Sequence, residues 1–282
     1  MRTKAFEKLI ESEDAALRYL RRKRYKKGRV FCHACNGRSV YRFAGEIRYR
    51  CRRCGYTFGP LTGSWMASSK VDLTTRLWLV KLFELEVTAR QAAVQTGVSY
   101  PTALRFFTMI RRSILAEEEP DLFRREVELD ESYFGGRRKG KRGRGAAGKV
   151  PVFGILERKG RVQVTPVPNV TGKTLIEETV KMVKRGSLVY TDKFRGYDAL
   201  TFCGYRHLKV DHGKQFSRGQ VHINGLEGFW SYAKGKLFKH HGVSPEKFPL
   251  YLYEMQFRYN HRDEDLFELF LDYLLKPVPN VL

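Results

Sequence analysis

The chain has 282 residues, 42% hydrophobic and 13% aromatic, with 53 Lys and Arg against 30 Asp and Glu, a formal net charge of +23. That apolar content excludes a disordered chain, and the length allows two or three small domains with at least one sizeable core. So large a positive surplus repels itself in a compact state and points to nucleic acid; no run approaches 18 apolar residues and no apolar leader opens the chain, so no membrane partner and a cytoplasmic protein are expected.

The opening stretch, MRTKAFEKLIESEDAALRYL, predicts an amphipathic helix. Cys32-x2-Cys35 and Cys51-x2-Cys54, fifteen residues apart, have the spacing of a tetrahedral thiolate site for structural Zn2+. The intervening NGRSVYRFAGEIRYR alternates like a hairpin, which fits a zinc ribbon. Two disulfides in a secreted module are the alternative, but nothing marks the chain as secreted, and Cys203 would be left over. Cys203 itself reads as a small buried apolar residue. Arg29, Arg38, Arg42, Arg48, Arg50, Arg52 and Arg53 must be exposed on so small a ribbon, as a DNA contact or as a solvated face.

Residues 59–70, GPLTGSWMASSK, read as a linker. Apolar residues then recur at helical spacing up to about residue 114. Within TARQAAVQTGVSYPTALRFF, a short helix with Ala92 and Ala93 meets a turn at Gly97–Ser99. Ser99 is a good cap for a second helix that holds Pro101 in its first turn. This is the layout of a helix-turn-helix, although many helical hairpins share it; Tyr100, Thr102 and Arg105 are the candidate reading residues.

After the acidic break AEEEPD (116–121), strands are expected over 125–136, 150–160 and 160–169, the last two as a hairpin around Lys159 and Gly160. A helix over 172–186, capped by Thr171, a strand over 187–194, another over 204–212 and a helix over 222–239 follow. Three strands, helix, strand, short helix, strand, helix is the order of a ribonuclease H-like fold. Residues 245–275 read as two amphipathic helices packing over that domain. The expected fold is thus α+β / α/β: an N-terminal helix and zinc ribbon (1–60), a helix-turn-helix region (61–120) and a ribonuclease H-like catalytic core with C-terminal helices (121–282).

Two-metal cleavage of a phosphodiester needs convergent carboxylates. In a ribonuclease H-like core they come from the first strand, the end of the fourth strand beside it and the last helix; the matching positions are Asp130, Asp192 and, in the helix, Glu227. Asn224 lies three residues before Glu227 and Lys234 seven after, on one helical face.

The blocks ELDESYFGGRRKGKRGRG, VYTDKFRGYDAL, HINGLEGFWSYAKGKLFKHHG and FRYNHR together resemble the insertion-sequence transposases of the DDE class with an N-terminal zinc ribbon (an ISXO2-like transposase domain), over about residues 30–275. The resemblance implies Mg2+- or Mn2+-dependent cutting at transposon ends and transfer of the 3′-hydroxyls to target DNA. It implies Asp130 and Asp192 as metal ligands and Glu227 as the third, with Asn224 the rival because members differ there. A carboxylate is the harder and better Mg2+ ligand, which favours Glu227. Lys234 would hold a DNA phosphate, or be a solvated helix lysine. Handling two DNA ends implies a homodimer or a larger assembly.

Among the neighbours, alternation turns Glu131 to the opposite face, where a salt bridge is expected, and leaves Glu128 on the Asp130 face behind the ligands. Asp211 and His212 end a strand near the site, Asp198 and His222 read as turn and cap residues, and Trp230 reads as core. The loop 135–149 carries seven Lys or Arg among fifteen residues: Arg137, Arg138, Lys139, Lys141, Arg142, Arg144 and Lys149. It is placed to clamp DNA. A zinc-ribbon/helix-turn-helix regulator derived from an inactive transposase would explain the first 115 residues and the charge, but not the placement of the three acids.

Overall fold

The computed structural model describes residues 1–117, 121–135, 149–158, 160–210 and 224–279. The chain divides into two compact units, Met1–Glu117 with Asp263–Leu282, and Glu118–Arg262.

The first unit opens with two helices where one was expected, α1 (Thr3–Leu9) and α2 (Glu13–Arg24). The break is local: the Ser12 side chain accepts from Ala15 N–H, and Glu13 and Asp14 in the first turn suit a helix N-terminus. The ribbon that follows is an antiparallel sheet of β1 (Val40–Arg42), β2 (Tyr49–Cys51) and β3 (Thr57–Phe58). The stretch read as a linker is structured: it holds a short 3-10 turn at Trp65–Ser68, and Ser64, Trp65 and Met66 are buried. Arg76 anchors it by donating to the carbonyls of Met66, Ser69 and Val71.

α3 (Leu73–Glu84), α4 (Ala89–Thr96) and α5 (Tyr100–Leu115) then follow. The α4–α5 hairpin has the expected turn and second cap, and a first cap that was not foreseen. Thr88 and Gln91 form a capping box, Gly97 closes α4 at φ +73°, where a side chain would be strained, and Ser99 caps α5 with Pro101 in its first turn.

The second unit is built on one sheet. β4 (Glu126–Phe134), β5 (Val150–Glu157) and β6 (Val162–Pro166) form an antiparallel meander. After α6 (Gly172–Met182), β7 (Leu188–Thr191) and then β8 (Arg206–Lys209) add in parallel, giving the order β6-β5-β4-β7-β8. That is the ribonuclease H-like arrangement. α7 (Asn224–Phe238) and α8 (Phe248–Asn260) complete the unit.

Strand alternation sorts the residues onto two faces. Val127, Leu129, Phe153 and Ile155 pack with Leu175, Tyr197 and Leu200 on one face. Val152, Leu156, Val162 and Val164 pack with Leu226, Phe229, Trp230, Leu252 and Met255 of α7 and α8 on the other. Side chains of α8 also cover the outer edge of β6. Gln256 accepts from Val164 N–H, and Asn260, in the FRYNHR motif, accepts from Val162 N–H and donates to Val162 O.

The final helix corrects an expectation. α8 packs on the sheet as foreseen, but α9 (Leu266–Leu274) belongs to the first unit. Its Phe267 meets Phe6 at 5.5 Å between ring centres, and its Phe270 meets Phe83 at 5.1 Å, both edge to face. The helix period of LFELFLDYL specifies an apolar face but not which core receives it.

Candidate active site and zinc centre

The zinc centre is assembled from two knuckles. After each CxxC the chain turns through a left-handed residue, Asn36 (φ +56°) in one and Gly55 (φ +73°) in the other. Asn36 N–H then bonds Cys32 O, and Gly55 N–H bonds Cys51 O. One candidate ligand atom from each of Cys32, Cys35, Cys51 and Cys54 lies within 4.8 Å of all the others, with 3.6 Å between Cys32 and Cys54 sulfurs and between Cys35 and Cys51 sulfurs. Four sulfurs about 2.3 Å from a common centre would have this spacing, so the residues fit zinc.

The thiols do not titrate alike. N–H groups of Cys54 and then Arg53 bring Cys51 down to about 7. At Cys54 the Tyr56 N–H favours the thiolate, but burial and the neighbouring sulfurs push it up to about 12. A dication is what lets four crowded sulfurs all be thiolates. His33, inside the first knuckle, is not in this group. Its Nε2 pairs with Tyr25 hydroxyl at 2.8 Å, and burial, then Arg24, lower it to about 4, so it is neutral near pH 7.

The candidate active site lies on the α7 face of the large sheet. β4 and β7 are parallel, with Glu128 opposite Tyr190 at the end of their pairing; two residues further along each chain stand Asp130 and Asp192, close enough for the Asp192 charge to act on Asp130. Both are half-buried. Asp130 Oδ1 accepts from Glu131 N–H at 2.9 Å, and Asp130 Oδ2 accepts from the Trp230 indole at 2.9 Å. Asp192 Oδ1 accepts from Phe194 N–H at 2.9 Å, which fixes the turn after β7. Burial, then the Glu131 charge, push the Asp130 carboxyl up to about 7; Asp192 adds to this, while the Trp230 and Glu131 N–H bonds oppose it.

Trp230 is core, as expected, at 5% exposure, but it also touches a candidate ligand. Its indole fits because residue 154, opposite Asp130 in the register, is glycine: a Cβ there would stand 2.6 Å from the ring. Glu128, 1% exposed, ties β4 to the start of α7. Its Oε2 accepts from Leu226 N–H at 3.1 Å and its Oε1 from Arg158 at 3.3 Å, and Gly225 leaves room for it. Glu131, on the other face, accepts from the buried Tyr197 hydroxyl at 2.9 Å where a salt bridge was expected, and burial with Glu131 holds that phenol well above its ordinary value.

Glu227 and Asn224 lie in the first turn of α7, exposed. The Lys234 ammonium lies 5.6 Å over the Phe134 ring. Burial lowers its pKa, against the pull of the Asp130 charge. Trp230, three residues after Glu227 and four before Lys234 on the same stripe of α7, brings its indole to Asp130, and the Asp130 charge also acts on Lys234. Among the described residues the four cysteines are the one group of three or more Cys, His, Asp or Glu whose ligand atoms converge.

Of the helix-turn-helix candidates, Tyr100 and Arg105 are exposed, and Arg90 lies over the Tyr100 ring at 5.5 Å. Thr102 is half-buried, its hydroxyl 2.9 Å from Ser99. Asp198 pairs with Lys209 at 2.6 Å, and Cys203 is half-buried against the core. Arg137, Arg138, Lys139, Lys141, Arg142 and Arg144, with Asp211, His212 and His222, lie outside the described residues. No described helix is long and apolar enough to cross a membrane. The hydrogen bond that Trp230 donates and those that Glu128 accepts were missed by sequence reasoning, although both residues sit at the right period, one on the Glu227 stripe and one on the Asp130 face.

The family model for the ISXO2-like transposase domain matches residues 123–260, and that for a transposase zinc-ribbon domain matches 11–57. A protein of Halobacterium salinarum, described as an uncharacterized protein in transposable element ISH50, is 32% identical over 275 residues, covering 89% of this chain and 92% of its own. The chain belongs to the ISXO2-like transposase family. A transposase-like protein of Haemophilus influenzae is 39% identical to this ISXO2-like chain over 105 residues, 37% of this chain and 85% of its own. Among solved structures, a Mos1 strand transfer complex is 12% identical, with a TM-score of 0.28, over 71% of this chain and 74% of that one, too slight a likeness to bear on function. The ISXO2-like family accounts for both the ribbon and the ribonuclease H-like sheet.

Proposed function

We propose that this chain is a DDE transposase that recognises the ends of an insertion sequence through its first unit and cuts and joins DNA with its second. The observation that carries the reading is the parallel pairing of β4 with β7, which runs from Glu128 and Tyr190 toward Asp130 and Asp192, with the Trp230 indole of α7 on Asp130 and the Asp192 charge acting on it. Two adjacent carboxylates are a hard oxygen donor set suited to Mg2+ or Mn2+. Each carboxylate oxygen accepts more than one hydrogen bond, so the Trp230 contact does not by itself use up the donor capacity of Asp130. When bound, divalent ions at such a site activate the attacking oxygen and stabilise the leaving one.

The chain's own residues do the rest. Asp130 and Asp192 hold the ions, with Glu227 as third ligand ahead of Asn224. Trp230 fixes the orientation of Asp130, and Lys234 binds a phosphate of the reacting strand. The ribbon, with its structural Zn2+, and the α4–α5 hairpin, through Tyr100, Thr102 and Arg105, bind duplex DNA at the terminal repeats, and the basic loop with Arg137, Arg138, Lys139, Lys141, Arg142 and Arg144 grips the strand at the site. A homodimer or larger assembly brings two ends together. Cleavage of labelled transposon-end DNA in Mg2+ is the test: wild type nicks the element boundary, and Asp192→Asn binds the same DNA without cutting. A mutant that cuts as fast as wild type refutes the site.

A further inference from the structure

The ribbon, the α4–α5 hairpin and the basic loop do not account for the density of charge on α2. Its sequence, EDAALRYLRRKR, continues into YKKGR, and the helix sorts these cations by direction. Lys23 and Arg24 are spoken for. Lys23 pairs with Glu268 at 2.7 Å and Asp272 at 3.0 Å, and Arg24 donates to Pro60 O at 2.7 Å and Thr62 O at 2.8 Å. Arg18, Arg21 and Arg22, at the i, i+3, i+4 spacing of a single helical face, instead line a cleft of about 540 Å³ with Lys27, Tyr25 and Gly28. Arg18 pairs with the exposed Asp14 at 3.1 Å; among the described residues no ion pair joins Arg21, Arg22 or Lys27 to a carboxylate.

The cleft is built at the seam between α2 and the ribbon. Tyr25, 2% exposed, packs edge-on against Tyr49 of β2, and Arg21 lies 5.9 Å over the same Tyr49 ring. Lys27 is held in the left-handed region at φ +57°, with Gly28 following at φ +69°. The helix dipole does not explain this concentration. A helix C-terminus carries about half a negative charge, which Lys23 and Arg24 already exceed. Of the four cations around the cleft only Arg18 has a carboxylate partner among the described residues, Asp14, and none of the lining residues is acidic, so the like charges of Arg21, Arg22 and Lys27 favour an anion brought from outside.

We propose that this face of α2 is a binding site for the phosphate backbone of duplex DNA, made by Arg18, Arg21, Arg22 and Lys27, which extends the ribbon's contact onto the preceding helix. The assignment rests on the DNA-binding reading above. Such a site strengthens binding without reading sequence, so its signature is the salt dependence of affinity.

The test uses the full chain loaded with zinc and a fluorescein-labelled duplex of arbitrary sequence, titrated by anisotropy between about 50 and 200 mM salt. R18Q/R21Q/R22Q lowers the slope of log affinity against log salt by about 2 to 3, since each phosphate contact contributes roughly 0.9; R21Q and R22Q alone each lower it by about 1. A control carrying K173Q, K181Q and K247Q, which removes the same charge from exposed positions of the other unit, leaves the slope within about 1 of wild type. The inference is overturned if the α2 variants retain the wild-type slope, or if the control lowers it equally. A wild-type chain that shows no salt-dependent duplex binding sinks the DNA-binding reading itself, and the α2 site with it. Retention of zinc by each variant shows that the ribbon beside the cleft is intact.

Discussion

The two candidate metal centres are built in opposite ways. The cysteine site gathers four ligands from 23 residues of chain, on two knuckles that each close their own backbone hydrogen bonds, and its sulfurs already stand within 4.8 Å of one another. The carboxylate site draws on β4, the end of β7 and α7, over nearly a hundred residues, and only its Asp130–Asp192 edge continues a strand pairing. Thiols can crowd as neutral groups, whereas carboxylates brought together repel. A long-range acidic site therefore needs a surrounding frame to hold each acid, here the Trp230 indole on Asp130, the Phe194 N–H on Asp192 and the Glu128 clamp on α7. The lesson is that a local site carries its own scaffold, while a distributed one borrows it from residues that bind no metal.

That contrast can be broken most forcefully at the ribbon. Structural zinc contributes on the order of 10 kcal/mol to such small folds, so Cys51→Ser or a chelator should unfold residues 30–58 while the sheet of the second unit stays intact. Amide chemical shifts that collapse in the ribbon alone are the expected result; loss of both sets would show the two regions to be one folding unit. Next in size, Asp192→Asn should slow cleavage of transposon ends by at least about 10³-fold, some 4 kcal/mol in the barrier, with duplex binding kept.

The frame itself gives smaller effects. Glu128→Ala removes the buried acceptor of the Leu226 N–H and one of the two carboxylates that Arg158 pairs with, the other being Glu126, and should destabilise the second unit by about 3 kcal/mol in thermal unfolding, with Glu128→Gln milder because it keeps an acceptor. Gly154→Ala drives a methyl into the Trp230 ring and should cost about 1–3 kcal/mol, with a shift in tryptophan emission as the indole leaves Asp130.

The last test is in pH. In the metal-free protein the Asp130 carboxyl titrates near 7, above its ordinary value of 3.8. Between those values the unfolded chain has lost a proton that the folded chain keeps, so stability falls as pH rises from about 4 to about 7 and then levels. Carboxyl-detected NMR should find this midpoint, and find it higher in Trp230→Phe, which lacks the indole bond that favours the anion. An unchanged midpoint in that variant would mean that the indole does not hold Asp130 in solution.

Much of this was legible beforehand, and the misses have a common cause. The helix-turn-helix chemistry of Gly97, Ser99 and Pro101 and the strand order of the second unit follow from caps, turns and periods that act within a few residues. The break at Ser12 obeys the same local rules and went unread because the apolar pattern runs through it. Residues 59–70 looked like a linker by composition, yet Arg76 collects its carbonyls and Trp65 and Met66 are buried, which no count of Gly and Ser reveals.

The sequence by itself determined the thiolate centre, the alternation that puts Asp130 and Glu128 on one face and Glu131 on the other, and the stripe of α7 that carries Glu227, Trp230 and Lys234, because each depends on spacing along a single knuckle, strand or helix. Only the tertiary structure decided that α9 joins the first unit, that Gly154 makes room for the indole on Asp130, that Glu128 holds the start of α7, and that α2 turns some cations inward to partners and others outward to a cleft. Those outcomes depend on which surfaces meet, and apolar faces and charged side chains of the same period are interchangeable until packing selects among them.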